Sequence, residues 1–300
     1  MIRTQREVHT MADAAEIAVI GGSGFYDLDG LRAARPVEVS TPFGPTSSAI
    51  LVGELHGKRV AFIARHGEGH RILPSEVPSR ANLWALKSLG VRRVLAVSAV
   101  GSLQQQYAPL HAVVPDQVID RTRGRVSTFF GDGVVAHIGF ADPFCEEVRD
   151  ALADASQGAG VVTHRGGTLV VIEGPAFSTR AESRLYQSWG AAIIGMTALP
   201  EAKLAREAEL CYASICYVTD YDVWHDQEAD VGVELVVENM RRNIEHARAT
   251  ISGAIATLAV DGACGCGDAL AGAVITSAGA MPAATRGRLA FVLDRYQGDA

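Results

Sequence analysis

This sequence has no apolar run longer than a buried strand requires, which excludes a membrane-spanning helix. It also has no cluster of Lys or Arg interleaved with aromatics. Its 27 basic residues are outnumbered by 34 acidic ones, and the net charge of −7 argues against a nucleic-acid surface. Arg92-Arg93 is expected as a solvated turn between a helix and a strand. The amino-terminal stretch MIRTQREVHTMADAAE lacks the apolar core of a signal peptide, so a cytoplasmic location is the expectation. Five cysteines are too few for a disulfide framework in a chain of 300 residues. Cys145, Cys211 and Cys216 stand in apolar contexts that predict burial. Cys264 and Cys266 form a C-x-C pair without the C-x-x-C spacing of common zinc sites and without a nearby His, so no metal is expected.

The chain is 48% hydrophobic, 20% charged and contains 31 glycines, the composition of an α/β enzyme with a large core. Short apolar runs predict buried strands at 17–20, 49–52, 60–63, 94–97, 112–114, 118–119, 169–172, 192–194 and 212–218. Helical periodicity predicts helices at 79–89, 143–155, 179–189, 199–208 and 233–257. Such alternation implies one domain, a mixed β-sheet flanked by helices, over residues 16–260. Residues 1–15 carry no periodicity and are expected as a flexible extension, with Met11 as plausible a start as Met1. Residues 261–300 are Gly/Ala-rich up to an amphipathic stretch near 286–296 and are expected as an appended tail, ordered only in part.

Chemistry concentrates in loops that follow the strands, where open α/β sheets bind ligands. The run LVVIEGPAFSTRAES, Leu169 to Ser183, opens as a strand, breaks at Gly174-Pro175 and closes as a helix. Its loop offers Glu173, Phe177, Ser178, Thr179 and Arg180, although Thr179 with Glu182 also reads as a plain helix cap. Gly21-Gly22-Ser23-Gly24 follows the strand IAVI. It is not a dinucleotide fingerprint, because Asp27 stands where the third glycine belongs, yet its backbone N–H groups and the Ser23 hydroxyl suit an anion. Arg65-His66-Gly67-Glu68-Gly69-His70 provides a guanidinium fork for phosphate oxygens, with His66 as a further donor. The glycines make a helical two-His zinc face improbable there. Ser98-Ala99-Val100-Gly101-Ser102 ends another strand with two hydroxyls. Thr219-Asp220-Tyr221-Asp222 ends a fourth with paired carboxylates, which fit a solvated turn, a cation site or the donor edge of a purine base.

In this order, and with Thr41-Pro42-Phe43-Gly44, Asn82-Leu83-Trp84, Asp116-Gln117 and Gly195-Met196-Thr197, these strings resemble the trimeric purine nucleoside phosphorylases, especially their methylthioadenosine phosphorylase branch. The resemblance spans roughly residues 17–257. It implies phosphate contacts from Ser23, Arg65, His66, Ser98, Ala99 and Thr197, ribose contact from Met196, and base contacts from Phe177, Ser178, Asp220 and Asp222. Asp220 and Asp222 are the implied catalytic carboxylates, with Asp220 protonating N7 of the leaving base. A pocket for the 5′ substituent is implied from His70, Val233, Val236 and Val237, with His137 lent by a neighbouring subunit of a homotrimer or hexamer. A C-x-C disulfide occurs in some thermophilic members.

The implied reaction is phosphate-dependent cleavage of the N-glycosidic bond of a 5′-deoxy-5′-substituted adenosine, first of all S-methyl-5′-thioadenosine, giving adenine and a 5-substituted ribose 1-phosphate, a step of purine and methionine salvage. Inorganic phosphate is the co-substrate, and neither a metal nor an organic cofactor is implied. The residues leave open 5′-deoxyadenosine, a 5′-fluoro or 5′-chloro analogue, or a broader range of purine nucleosides. A nucleoside hydrolase would have no use for the phosphate residues, and a binding module would have no use for an acid at Asp220.

Overall fold

The computed structural model describes residues 13–225 and 233–296, apart from the side chains of 233–236. Its strands are β1 (Ile17–Gly21), β2 (Arg32–Val37), β3 (Ile50–Leu55), β4 (Lys58–Ala64), β5 (Arg93–Ser102), β6 (Ala112–Val114), β7 (Gln117–Arg121), β8 (Thr163–Arg165), β9 (Thr168–Ile172), β10 (Ile193–Gly195) and β11 (Cys211–Asp220). The helices are α1 (Ser79–Ser88), α2 (Glu146–Gly158), α3 (Arg180–Ser188), α4 (Ala198–Glu207), α5 (Val233–Thr257) and α6 (Ala283–Leu293). All eleven strands join one mixed sheet, ordered β2-β3-β4-β1-β5-β10-β9-β7, with β11, β6 and β8 branching from β5. Helix α2 packs on α5, and α1 packs on α4.

The branch at β5 builds the site. β1 pairs in parallel only with Arg93 to Ala96, which leaves Gly101 and Ser102 to pair with β10 in antiparallel sense. β11 runs parallel to β5 from Arg93 to Gly101. Both are nearly unbroken apolar runs because both lie inside the molecule. The carboxyl ends of β1, β4, β5 and β11 therefore share one edge.

Two strands are not legible as apolar runs. β2 is an edge strand with five of its six residues exposed, and β8 is the three-residue segment THR. Of Arg92-Arg93, Arg92 is exposed before β5 as expected, but Arg93 departs from expectation at 1% exposed. Residues 261–296 are no loose appendage: Leu270, Leu289, Val292 and Leu293 lie in the main core, and α6 packs on α1. Small residues dominate the sequence of this segment and give weak periodicity, so its few large apolar anchors are visible only once packed.

Candidate active site

A cavity of about 340 Å³ opens at the shared strand edge. Ser23, Arg65, His66, His70, Ser98, Ala99, Phe177, Ser178, Met196, Thr197, Asp220 and Asp222 all line it. Residues from six strand ends, scattered over 200 positions of sequence, thus converge as their loops predicted. The expected 5′ wall is met only in part. Val237 is 52% exposed and does not line the cavity; Met240, further along α5, does. The side chains of Val233 and Val236 lie outside the described residues. His137 is exposed and away from this cavity, beside the bridge between Ala136 and Val274.

At one end stands Arg65, 1% exposed. Its Nε and Nη2 donate to Glu201 at 2.5 and 3.0 Å, and Nη1 donates to the Val97 carbonyl at 2.8 Å. Of five N–H groups, these contacts use three, so one remains on each terminal nitrogen, a parallel pair suited to two oxygens of a tetrahedral anion. Tyr212 donates to Glu201 at 2.9 Å, kept a neutral phenol by burial and by the Glu201 charge. Burial opposes the Arg65 charge, but Glu201 more than offsets it and holds the guanidinium pKa above its ordinary value. Gly22 must be glycine: a Cβ there would lie 2.4 Å from the Val97 carbonyl oxygen and 3.2 Å from Arg65 Nη1.

Two hydroxyls complete this end. β10 pairs Ile194 with Gly101, and continuing that antiparallel register puts Thr197 opposite Ser98; their oxygens are 3.2 Å apart. His66 differs from its expected role as a donor. Burial and the Arg65 charge lower its pKa to about 4, so the ring is neutral near pH 7. Nδ1 lies 2.8 Å from the Ile72 carbonyl, which can only accept, so the ring proton sits there and Nε2 is an acceptor. That suits the P–OH of hydrogen phosphate. His66 also stacks on His70, with ring centroids 4.4 Å apart.

At the other end, Asp220 accepts from the Asp222 N–H at 2.8 Å and from the Thr219 hydroxyl at 2.6 Å. Asp222 holds a φ of 52°, which turns its carboxylate back beside that of Asp220. Burial and the Asp220 charge raise its pKa, and its Oδ2 is buried without a hydrogen-bond partner among the described residues. Ser178 Oγ, also buried, likewise has none among them. Gly101 packs here, since a Cβ would lie 3.1 Å from Asp220 Oδ1.

The loop after β9 divides its labour. Thr179 and Glu182 form a reciprocal capping box on α3, while Phe177 and Ser178 face the cavity. Glu173 instead binds Arg125, and Arg180 donates to the Val223 carbonyl, so neither lines it. Sequence reading assigns no role to Glu201, which it meets only in the string Pro200-Glu201 after Gly195-Met196-Thr197, and none to Asn239 or Asn243. Glu201 looks like an ordinary first-turn acid of α4, and the two asparagines look like polar interruptions of α5. Folding buries all three; Asn239 donates to the Thr219 carbonyl at 2.7 Å and Asn243 to the Val218 carbonyl at 2.9 Å, beside the β-bulge before Asp220, and the Val218 carbonyl also accepts from the Leu110 N–H at 2.9 Å.

Known proteins share both sequence and fold. Residues 16–256 match the phosphorylase superfamily. An S-methyl-5′-thioadenosine phosphorylase of Koribacter versatilis is 51% identical over 95% of this chain and 98% of that protein, and one of Geobacter sulfurreducens is 50% identical over 93% and 98%. A methylthioadenosine phosphorylase sourced from an antarctic soil metagenomic library superposes with a TM-score of 0.89 at 50% identity, covering 94% of this chain and 99% of that one. A methylthioadenosine phosphorylase of Schistosoma mansoni in complex with adenine gives a TM-score of 0.77 at 39% identity, covering 82% and 92%.

Proposed function

The chain belongs to the phosphorylase superfamily, and from that premise we propose that it cleaves the N-glycosidic bond of S-methyl-5′-thioadenosine with inorganic phosphate, releasing adenine and 5-methylthioribose 1-phosphate. One observation carries the reading. Ser98 at the anion end and Gly101 against Asp220 lie three residues apart on β5, about 10 Å along an extended strand, which is the span of a ribose between a phosphate and a purine. The free edge of Arg65, the Ser98 and Thr197 hydroxyls, Ser23 and the Ala99 backbone hold phosphate below C1′, with His66 Nε2 accepting its proton. A phosphate oxygen bonds to C1′ as the C1′–N9 bond breaks, and the bond pair moves into the purine. The phosphate charge stabilises the ribosyl cation that develops in between. The Asp220/Asp222 pair carries the proton that N7 takes up, and Asp222 is the partner that burial holds toward its protonated form. Met196 lies under the ribose and Phe177 against the nucleoside.

The active species in this reading is a homotrimer, in which His137 of one subunit joins His70 and Met240 around the 5′ group of the next. Phe177 is 63% exposed at the cavity mouth, where a neighbour would cover it. No metal or organic cofactor takes part in the steps above. Among the described residues no helix is long and apolar enough to cross a membrane; we place the enzyme in the cytoplasm. The test is adenine release from methylthioadenosine, adenosine and inosine, each with and without phosphate. Phosphate-dependent release with methylthioadenosine preferred is expected. Release that is independent of phosphate would make this a hydrolase and overturn the reading.

A further inference from the structure

Outside the cavity, four of the five cysteines meet. Cys145 caps the amino end of α2, Cys211 begins β11, and Cys264 and Cys266 come from the carboxyl-terminal segment. All four sulfurs lie within 4.8 Å of one another, with Cys211 and Cys264 3.3 Å apart and Cys145 and Cys264 3.8 Å apart. A tetrahedron of sulfurs about zinc, with Zn–S of about 2.3 Å, has edges of about 3.8 Å. The cluster is already close to that size. Three of its members are buried and Cys264 is half-buried.

Its surroundings also suit a charged centre. Four thiolates on a divalent ion carry two net negative charges, which burial makes costly unless cations and N–H donors face them. Arg93, fully buried, points Nη1 at Cys211, Cys264 and Cys145 at 3.2, 3.6 and 3.8 Å. Its Nη2 is held by Glu147 at 2.6 Å. The chain reaches this point only through Gly262, where any Cβ would overlap the Arg93 guanidinium and the Glu147 carboxylate. A C-x-C pair alone lacks a zinc spacing; the fold supplies the other two ligands from 119 and 53 residues away.

We propose that Cys145, Cys211, Cys264 and Cys266 form a structural tetrathiolate site for zinc, with Arg93 as its outer-sphere cation, pinning the carboxyl-terminal segment to α2 and β11. None of these residues lines the active-site cavity.

The full chain, expressed and purified under reducing conditions, tests this by metal analysis and thiol counting. About one zinc per chain is expected, with thiols that react only as zinc is released. Cobalt in its place should give thiolate charge-transfer bands and the intense visible bands of a four-coordinate ion. Cys266→Ser should bind less than a tenth of the wild-type zinc, whereas Cys216→Ser, whose sulfur lies elsewhere, should keep it. Since a variant can fail to fold, the cobalt spectrum of the wild type stands as the independent readout. Two outcomes overturn the site: thiols that react freely and bind no added zinc, or a chain purified without reductant whose mass is about 4 Da low, as two disulfides within the cluster require.

Discussion

Arg65 shows how a buried charge is made useful. Its bidentate partner Glu201 fixes the plane of the guanidinium, and the Val97 carbonyl takes a third N–H, so what remains is aimed rather than mobile. Lysine keeps the charge but loses that planar fork. Arg65→Lys is expected to raise the phosphate KM at least tenfold, with a smaller effect on the nucleoside KM, in steady-state kinetics that vary each substrate. His66 makes a stability prediction. Its folded pKa, about 4, lies below the unfolded value of about 6.5, so between these the unfolded chain binds more protons. The contribution of this residue to stability is therefore complete above pH 6.5 and falls as the pH drops toward 4, by up to about 3 kcal/mol. Thermal unfolding of His66→Asn between pH 4 and 7 should show a shallower slope than wild type, though not a flat one, because burial also lowers His70 and His164. An identical slope would remove His66 from the account.

At the scale of elements, the decisive contact is between α5 and the end of β11. The bulge at Val218 to Asp220 interrupts the ladder beside the two carboxylates, where the Val218 carbonyl takes the Leu110 N–H and both it and the Thr219 carbonyl also accept side-chain donors. Asn243 and Asn239 supply them from a buried helix face. Asn239→Ala removes the side-chain donor to a buried carbonyl and should cost about 1–3 kcal/mol in denaturant unfolding. Because that carbonyl adjoins Asp220, kcat should fall about tenfold or more while the phosphate KM stays near its wild-type value. Loss of stability without loss of kcat would mean that α5 supports the strand and not the carboxylates.

At the scale of the whole molecule, the chain leaves its cavity walled on the strand side and open at Phe177. His137 lies away from it, next to Val135 and Ile275, which are 47% and 65% exposed. In the proposed trimer, this histidine beside exposed apolar side chains would serve another subunit's cavity and not its own. His137→Ala is expected to lower kcat/KM for methylthioadenosine more than for adenosine, and Ile275→Asp to shift the mass measured by light scattering toward the monomer with loss of activity. A fully active monomer would refute the shared site.

The four loops of the cavity were legible in the sequence because each follows an apolar run that can only be a buried strand, and a strand end fixes where the next residues emerge. Ser23, Arg65, Ser98 and Asp220 needed no contact map. The sheet and five of the six helices were legible for the same reason: hydrophobic period is a local property. Partnerships were not. Glu201 meets Arg65 across 136 residues, and β10 meets the last two residues of β5 only because β1 stops short of them. The four cysteines likewise make no local pattern. Such pairings depend on strand order and on which surfaces are left uncovered, quantities that no stretch of sequence carries by itself. The sequence determined which chemistry was available; the tertiary structure decided which groups face each other, and therefore that His66 turns its Nδ1–H to the Ile72 carbonyl and leaves Nε2 as an acceptor toward the cavity.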